Sequence, residues 1–210
     1  MIGNKARWSS GIAALLAVLL QAGCASQSPR VDFYMLSATA GAAGNAAVAD
    51  KCSGRAISVG PVSWPRYLDQ PRIVTRAGPN RLETSEFNRW GGSLEDDFVR
   101  TVMKNISDQL QSELVVNYRR SGHFAPLYRV EINVLQFDGQ LGGDVVLEAK
   151  WSIIAETSGE LVRVKTSTIQ ESASAPGYEA LVNASSMAVA QLSGEIAVEL
   201  ARVCVAAPSK

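Results

Sequence analysis

Three consecutive stretches between residues 128 and 165 alternate apolar and polar side chains, and this alternation constrains the fold more than any other feature of the chain. The apolar positions are Tyr128, Val130, Ile132 and Val134, then Val145, Leu147, Ala149, Trp151 and Ile153, then Val162 and Val164. Successive side chains of a β-strand point to opposite faces of its sheet, so each stretch has one buried and one solvated face. Residues 138–144 and 157–160 have the composition of hairpin loops. The pattern predicts a three-stranded antiparallel meander.

Two further segments show the apolar spacing of amphipathic helices. The first begins at Ser93, which is followed three residues later by Asp96 as in a capping box, and the second covers residues 178–203. The apolar stripe of the first helix comprises Leu94, Phe98, Val102, Ile106 and Leu110. Strand-like segments also cover residues 31–36, 55–62, 72–76 and 81–87. Together these elements predict an α+β fold, a mainly antiparallel β-sheet with two long helices packed on one face.

The N-terminus has the pattern of a secretory signal. Two basic residues precede an apolar run at 11–20, which is too short to span a bilayer. Two small residues then precede Cys24 in a context that resembles the lipobox of bacterial lipoproteins, although Gln21 stands where a leucine is usual. We expect residues 1–23 to be removed and Cys24 to carry lipid; the alternative is an ordinary signal peptide with a free or disulfide-bonded cysteine. Ala25, rather than an aspartate, after the cysteine favours the periplasmic face of the outer membrane.

The mature chain is long enough for one domain. Once residues 1–23 are removed, 187 of the 210 residues remain, which suffices for a substantial hydrophobic core. We expect a tether at 24–30 and a single α+β domain at 31–205, followed by a tail at 206–210. Within the domain, the Ala- and Gly-rich residues 37–50 have no periodicity and predict a flexible insertion.

The charge balance and the remaining cysteines narrow the classes of function. Without Lys5 and Arg7 of the signal, the chain carries 18 basic and 20 acidic side chains, so it offers no basic field for nucleic-acid binding. With Cys24 acylated, Cys52 and Cys204 form an even pair, which predicts one disulfide in an oxidising compartment. Two separate buried thiols are the alternative.

Motifs for catalysis or cofactor binding are absent from the sequence. His123 is the only histidine and lies in a loop segment, and there is no G-x-S-x-G nucleophile elbow. The sequence also lacks an H-E-x-x-H motif and a close Cys/His cluster of the kind that binds zinc. We therefore predict no metal and no cofactor, and a Ser-His-Asp site that includes His123 stays open as the alternative to a solvated loop histidine.

The most unusual stretch is residues 63–76, SWPRYLDQPRIVTR, together with residues 88–90, where aromatic side chains lie among arginines and prolines. Aromatic residues and arginines are enriched in the energetically dominant parts of protein interfaces. The predicted partner-binding residues are Trp64, Tyr67, Leu68, Arg89 and Trp90. The alternative is that Trp64 and Trp90 cap the core and that the arginines form a solvated edge.

The same stretch carries a family resemblance. The matching features are the lipobox at Cys24, Tyr34-x-Leu36, Trp64-Pro65-x-Tyr67-Leu68-Asp69, Ile73-Val74-x-Arg76, and Arg89-Trp90 before Leu94. Together they resemble the PqiC/YmbA-type family of ABC-type transport auxiliary lipoproteins over essentially the whole mature chain. The chain departs from the family pattern at residues 91–93, Gly-Gly-Ser, where Ala-Glu-Pro is frequent, and in the insertion at 37–50.

The resemblance implies a non-enzymatic lipoprotein, held at the outer membrane by its lipid anchor. Proteins of this family accompany MCE-domain systems that move lipids or other hydrophobic molecules between the inner and outer membranes. The implied partner is a periplasm-spanning MCE-domain protein of the PqiB type, and the implied assembly is a homo-oligomer. An anchored periplasmic hydrolase and a structural envelope lipoprotein are the alternative functions.

Overall fold

A computed structural model describes residues 29–39 and 49–206, which form eight strands and two long helices. The strands are β1 (Asp32–Tyr34), β2 (Ile57–Ser63), β3 (Arg72–Gly78), β4 (Arg81–Trp90), β5 (Val115–Asn117), β6 (Tyr128–Gly139), β7 (Asp144–Ala155) and β8 (Glu160–Ser172). The helices are α1 (Leu94–Leu110) and α2 (Tyr178–Ala206), and short 3-10 turns cover Arg66–Leu68 and Tyr118–His123.

The strands form two sheets. The larger sheet has the order β5-β2-β6-β7-β8, and its β6-β7-β8 part is the predicted antiparallel meander. The smaller sheet has the order β1-β4-β3. The α+β prediction is confirmed, but the sheets are mixed rather than purely antiparallel, because β2 runs parallel to both of its neighbours and β1 runs parallel to β4. The connection from β2 to β5 and β6 contains α1, and a crossover of this kind brings strands together in parallel.

The inner face of the large sheet forms the core with the two helices. The alternation predicts the buried positions of β6 and β7 correctly, but it is wrong for Val164 of β8, whose side chain is 50% exposed. A bulge opposite Ile153 and Ile154 adds one residue to β8 and shifts the register of the rest of the strand. Ser167 and Ile169 therefore face the core instead.

Helix α1 begins as the sequence predicts. The Ser93 hydroxyl accepts a hydrogen bond from the Asp96 backbone N–H at 3.2 Å, and three acidic residues occupy the first turn, where the helix dipole favours them. The five predicted apolar residues of its stripe are all buried. Helix α2, predicted at 178–203, extends to Ala206 and packs on α1 and on strands β6, β7 and β8.

A disulfide joins Cys52, in the loop before β2, to Cys204 in the last turn of α2, and both side chains are buried. The predicted signal peptide at 1–23, the lipidation site Cys24, most of the tether, residues 40–48 of the insertion and residues 207–210 of the tail lie outside the described residues. Among the residues that are described, no helix combines the length and the apolarity needed to cross a membrane.

Candidate functional site

The segment between β2 and β3 holds an aromatic cluster. The Trp64 ring packs against Phe98 of α1 and Phe137 of β6, with centroid distances of 5.3 and 5.9 Å, and those two phenylalanines are 5.8 Å apart. Rings at these separations in tilted or edge-on arrangements stabilise each other beyond their simple burial. Trp64 therefore covers one end of the core, as the alternative interpretation of the sequence proposed, and it remains partly exposed.

A buried carboxylate organises the residues next to this cluster. Asp138 of β6 has a fully buried side chain and receives two hydrogen bonds from the Arg76 guanidinium, at 2.6 and 2.8 Å. The Tyr67 hydroxyl donates a third at 2.7 Å, and the Gln136 amide donates a fourth at 3.1 Å. This network ties the turn at Arg66–Leu68 and strand β3 to the large sheet.

The network also sets the ionisation of its members. Burial acts to raise the pKa of Asp138, but the hydrogen bonds from Arg76 and Tyr67 and the charge of Arg76 outweigh it and hold the pKa below its ordinary value of 3.8. Burial, and next the hydrogen bond to Asp138, raise the pKa of Tyr67 well above its ordinary range. The carboxylate stays charged and the phenol stays neutral at physiological pH, so the pair is a fixed structural device and not an acid–base couple.

A cleft of about 310 Å³ opens beside Trp64, where the segment after the turn meets the start of α1. Its lining residues are Trp64, Leu68, Asp69, Gln70, Pro71, Gly92, Ser93, Leu94 and Glu95. The Trp64 indole Nε1 is buried and has no acceptor among the described residues. Because this atom is buried, it is an unsatisfied donor inside the protein, and other atoms of Trp64 line the cleft.

The chemistry of the cleft suits a short protein segment. Its walls are largely apolar, while the carboxylates of Asp69 and Glu95 lie at its edge, and Asp69 makes no side-chain hydrogen bond or ion pair with the described residues. Glu95 is 3.5 Å from Arg119, a long and exposed contact. The cleft can therefore accept an apolar side chain between its walls and a basic group at its acidic edge.

The structure does not bring the five predicted partner-binding residues together on one surface. Leu68 and Trp90 are buried, with 4% and 8% of their surfaces exposed, so they shape the fold beneath the surface. The Tyr67 hydroxyl is bonded to Asp138, and Trp64 lines the cleft. Arg89 lies on the opposite face of β4 from Trp90, paired in register with Arg72 and Phe33. Their role in partner binding stays a prediction.

Sequence reasoning missed the pairing of Arg76 with Asp138 and the contribution of residues 92–95 to the cleft. The two charged residues are 62 positions apart, and no local pattern links them. His123 ends the turn at Tyr118–His123. Within residues 29–39 and 49–206, no group of three or more His, Cys, Asp or Glu residues is arranged to hold a metal ion.

Comparison with known proteins places the chain among similar sequences and folds. A family model described as the ABC-type transport auxiliary lipoprotein component matches residues 34–197. The chain is 23% identical over 188 residues to the intermembrane transport lipoprotein PqiC of Escherichia coli strain K12, covering 90% of this chain and 96% of that protein. The PqiC protein of Shigella flexneri matches to the same extent.

Two solved structures share the fold. A protein from Xanthomonas campestris superposes with a TM-score of 0.66 at 19% sequence identity, covering 82% of this chain and 96% of that one. An uncharacterised protein superposes with a TM-score of 0.65 at 22% identity, covering 82% of this chain and 99% of that one. At these identities the likeness shows the architecture alone.

Proposed function

The chain belongs to the family of ABC-type transport auxiliary lipoproteins, and from this premise we propose that it is the lipid-anchored periplasmic subunit of an MCE-type intermembrane transport system. In this role it docks the periplasm-spanning MCE-domain protein at the outer membrane. The system moves lipids or other hydrophobic molecules, with the energy and the conduit supplied by other subunits. The family is one of transport components and not of enzymes.

The anchor is the lipidated Cys24. Each methylene group of a buried acyl chain contributes about 0.8 kcal/mol, so two or three chains hold a protein stably in a bilayer. Anchoring confines the domain to a thin layer at the membrane surface and thereby raises its effective concentration for a partner that reaches the same surface. A subunit that works by docking benefits directly from this confinement.

The observation that carries the docking proposal is the cleft beside Trp64, which has largely apolar walls and, at its edge, the carboxylate of Asp69, which has no partner among the described residues. We assign to it a segment of the MCE-domain partner that presents an apolar side chain beside a lysine or arginine. The Arg76–Asp138–Tyr67 network and the capped start of α1 hold the two sides of the cleft in place before the partner arrives. A preorganised site of this kind loses little conformational entropy on binding.

We also propose that several copies of the chain assemble around the partner. The free edge of β8 is an unfavourable surface for joining them, because Arg163 and Lys165 on its inner face pair with Glu199 and Glu195 of α2. Inward-pointing charges on an edge strand discourage pairing with another strand. The copies would therefore meet through other surfaces.

Recovery of the partner tests the proposal. The tagged, lipidated protein is purified from mildly solubilised membranes and the co-purified proteins are identified by mass spectrometry, with Gly92→Phe as the variant that fills the cleft. A Cβ added at Gly92 meets no atom of the protein within 4 Å, and Gly92 lines the cleft, so we expect the larger side chain to obstruct the cleft while the fold is kept. Gly78→Phe in the β3–β4 hairpin is the matched control, because Gly78 is equally unobstructed and lies outside the cleft.

We expect an MCE-domain protein to co-purify with the unmodified chain and with the Gly78 variant. The Gly92 variant should recover at least tenfold less of it. Equal recovery with both variants would remove the cleft from the docking site. Absence of any MCE-domain protein, when the partner is present in the input, would contradict the proposed function itself.

A further inference from the structure

The small sheet has an exposed outer face that no described element covers. Phe33 of β1 and Met35 just after it are 66% and 55% exposed. Met35 lies over Gly91, where an added Cβ would come within 3.1 Å of its side chain, so the absence of a side chain at position 91 lets the methionine lie flat. Two large apolar side chains next to each other on a surface mark it as a site of interaction.

Two arginines share this face with Phe33. Arg89 of β4 pairs in register with Phe33 on one side and with Arg72 of β3 on the other, and paired residues of neighbouring strands point to the same face. Neither guanidinium is within 4.0 Å of a carboxylate of the described residues. Like charges directly opposite each other destabilise a sheet, and an anion bound above the two arginines would relieve that repulsion. We call Phe33, Met35, Arg72 and Arg89 the outer patch.

The covalent chain places the outer patch close to the anchor. Phe33 lies nine positions after Cys24, and an extended chain spans at most about 3.5 Å per residue, so Phe33 stays within roughly 30 Å of the acylated cysteine. Helix α2, with 29 residues, is about 43 Å long. The tether is thus shorter than α2, and β1 is the element that it keeps within this distance of Cys24.

We propose that the outer patch lies against the bilayer that holds the anchor, with the two arginines on anionic phospholipid headgroups and Phe33 and Met35 at the boundary of the acyl chains. The proposal rests on the lipid anchor of the proposed function and not on the MCE-domain partner. Basic side chains near an anionic membrane and apolar side chains at its interface both strengthen the membrane binding that the acyl chains provide. The contact fixes the orientation of the domain relative to the bilayer.

A patch of aromatic and arginine side chains can also bind the surface of another protein. The bilayer is favoured because the patch directly follows the tether, and because Arg72 and Arg89 are paired in register with no carboxylate partner among the described residues, which leaves both guanidiniums able to bind phosphate groups. The experiment must therefore distinguish contact with the bilayer from contact with a second copy or with a partner protein.

The experiment labels one position at a time with an environment-sensitive fluorophore. Acylation of Cys24 and the Cys52–Cys204 disulfide leave a newly introduced cysteine as the reactive thiol. The lipidated protein carrying Phe33→Cys is labelled and reconstituted in vesicles of phosphatidylethanolamine and phosphatidylglycerol at 3:1. Leu161→Cys is the matched control, because Leu161 is also a largely exposed apolar residue. Leu161 is also far from the patch. It lies on β8 two residues from Arg163, which pairs with Glu199 near the C-terminal end of α2. Tyr178, which packs against Tyr34 of β1, is at the other end of α2, about 30 Å from Glu199 along the helix.

The proposal predicts a blue-shifted, iodide-protected label at position 33 and a solvent-exposed label at position 161. Changing Arg72→Gln and Arg89→Gln together should lower the ratio of docked to undocked domains about tenfold or more, and phosphatidylcholine vesicles should do the same. Arg81→Gln with Arg119→Gln is the charge-matched control, because these exposed arginines lie beside Glu83 and Glu95.

Four results would overturn the proposal. A label at position 33 that stays exposed on acylated protein, or equal protection at positions 33 and 161, removes the bilayer contact. Protection at position 33 that rises with protein concentration and does not depend on the lipid composition assigns the patch to a second copy. Intact mass measurement that finds no acyl chain on Cys24 removes the anchor as well, whereas failure to recover an MCE-domain protein leaves this proposal standing.

Discussion

The guanidinium of Arg76 forms a bidentate ion pair with the buried carboxylate of Asp138, and this pair joins the small sheet to the large one. Arg76 Nε lies 2.6 Å from one carboxylate oxygen and a second guanidinium nitrogen lies 2.8 Å from the other. The Tyr67 hydroxyl binds the same carboxylate, so the turn that borders the cleft is held by the same group. The position of the cleft therefore depends on a contact between β3 and β6.

Removing the guanidinium should destabilise the protein strongly. Arg76→Ala leaves the Asp138 carboxylate buried with only the Tyr67 and Gln136 hydrogen bonds, and a buried charge without its partner lowers the free energy of unfolding by about 3 kcal/mol. Urea denaturation measures the change. Arg81→Ala is the control, because Arg81 and Glu83 form an exposed pair whose removal changes stability by less than about 1 kcal/mol. Equal effects of the two substitutions would refute the account of the network.

Stability should also fall in acid through the same carboxylate. The pKa of Asp138 in the folded protein lies below its ordinary value of 3.8, so its contribution is complete above that pH and is lost as the pH falls through the lower folded value. Asp138→Asn should therefore be less stable than the unmodified protein at pH 7. The difference should shrink below about pH 4. Thermal unfolding across pH 2–7 measures this, and a pH-independent difference would contradict it.

The disulfide should contribute substantially to stability because it closes a long loop. Cys52 and Cys204 are 152 residues apart, and for a loop of this length the chain-entropy model assigns about 4–5 kcal/mol. Replacing both cysteines by serine should lower the free energy of unfolding by up to that amount. Mass spectrometry of unreduced peptides should find Cys52 linked to Cys204, and two free thiols in protein from the periplasm would refute the linkage.

One buried hydroxyl should be dispensable. Thr101 of α1 is fully buried, and its Oγ1 has no hydrogen-bond partner among the described residues. Valine has the same shape without the hydroxyl, so Thr101→Val removes an unpaired polar group and should raise stability by about 1 kcal/mol. The midpoint of urea unfolding tests this. A loss of stability would show that the hydroxyl is hydrogen-bonded in solution.

Local patterns in the sequence predicted most of the fold. The meander of β6, β7 and β8, the start of α1 at Ser93 and the long α2 all follow from alternation, capping and helical spacing, which act within a few residues. The register of β8 could not be predicted, because a single-residue bulge places Arg163 and Lys165 on the helix side. Only their ion pairs with α2 make that arrangement favourable.

The candidate site was less predictable, since its parts are distant in sequence. The stretch at 63–76 identified Trp64 and the border of the cleft, but burial of Leu68 and Trp90 depends on how the two sheets pack. Arg89 and Trp90 lie on opposite faces because both belong to β4, and successive side chains of a strand point to opposite faces of its sheet. Asp138 belongs to β6, which continues to Gly139, whereas the sequence placed it at the start of a hairpin loop.

Photo-crosslinking in intact cells tests the docking proposal most directly. A photoreactive amino acid replaces Asp69, which is exposed at the edge of the cleft, or Glu160, which is exposed at the start of β8. The account predicts an ultraviolet-dependent adduct from position 69 that mass spectrometry identifies as an MCE-domain protein, and no such adduct from position 160. Acylated, folded protein that gives no MCE-domain adduct from position 69, in cells that contain the partner, would contradict it.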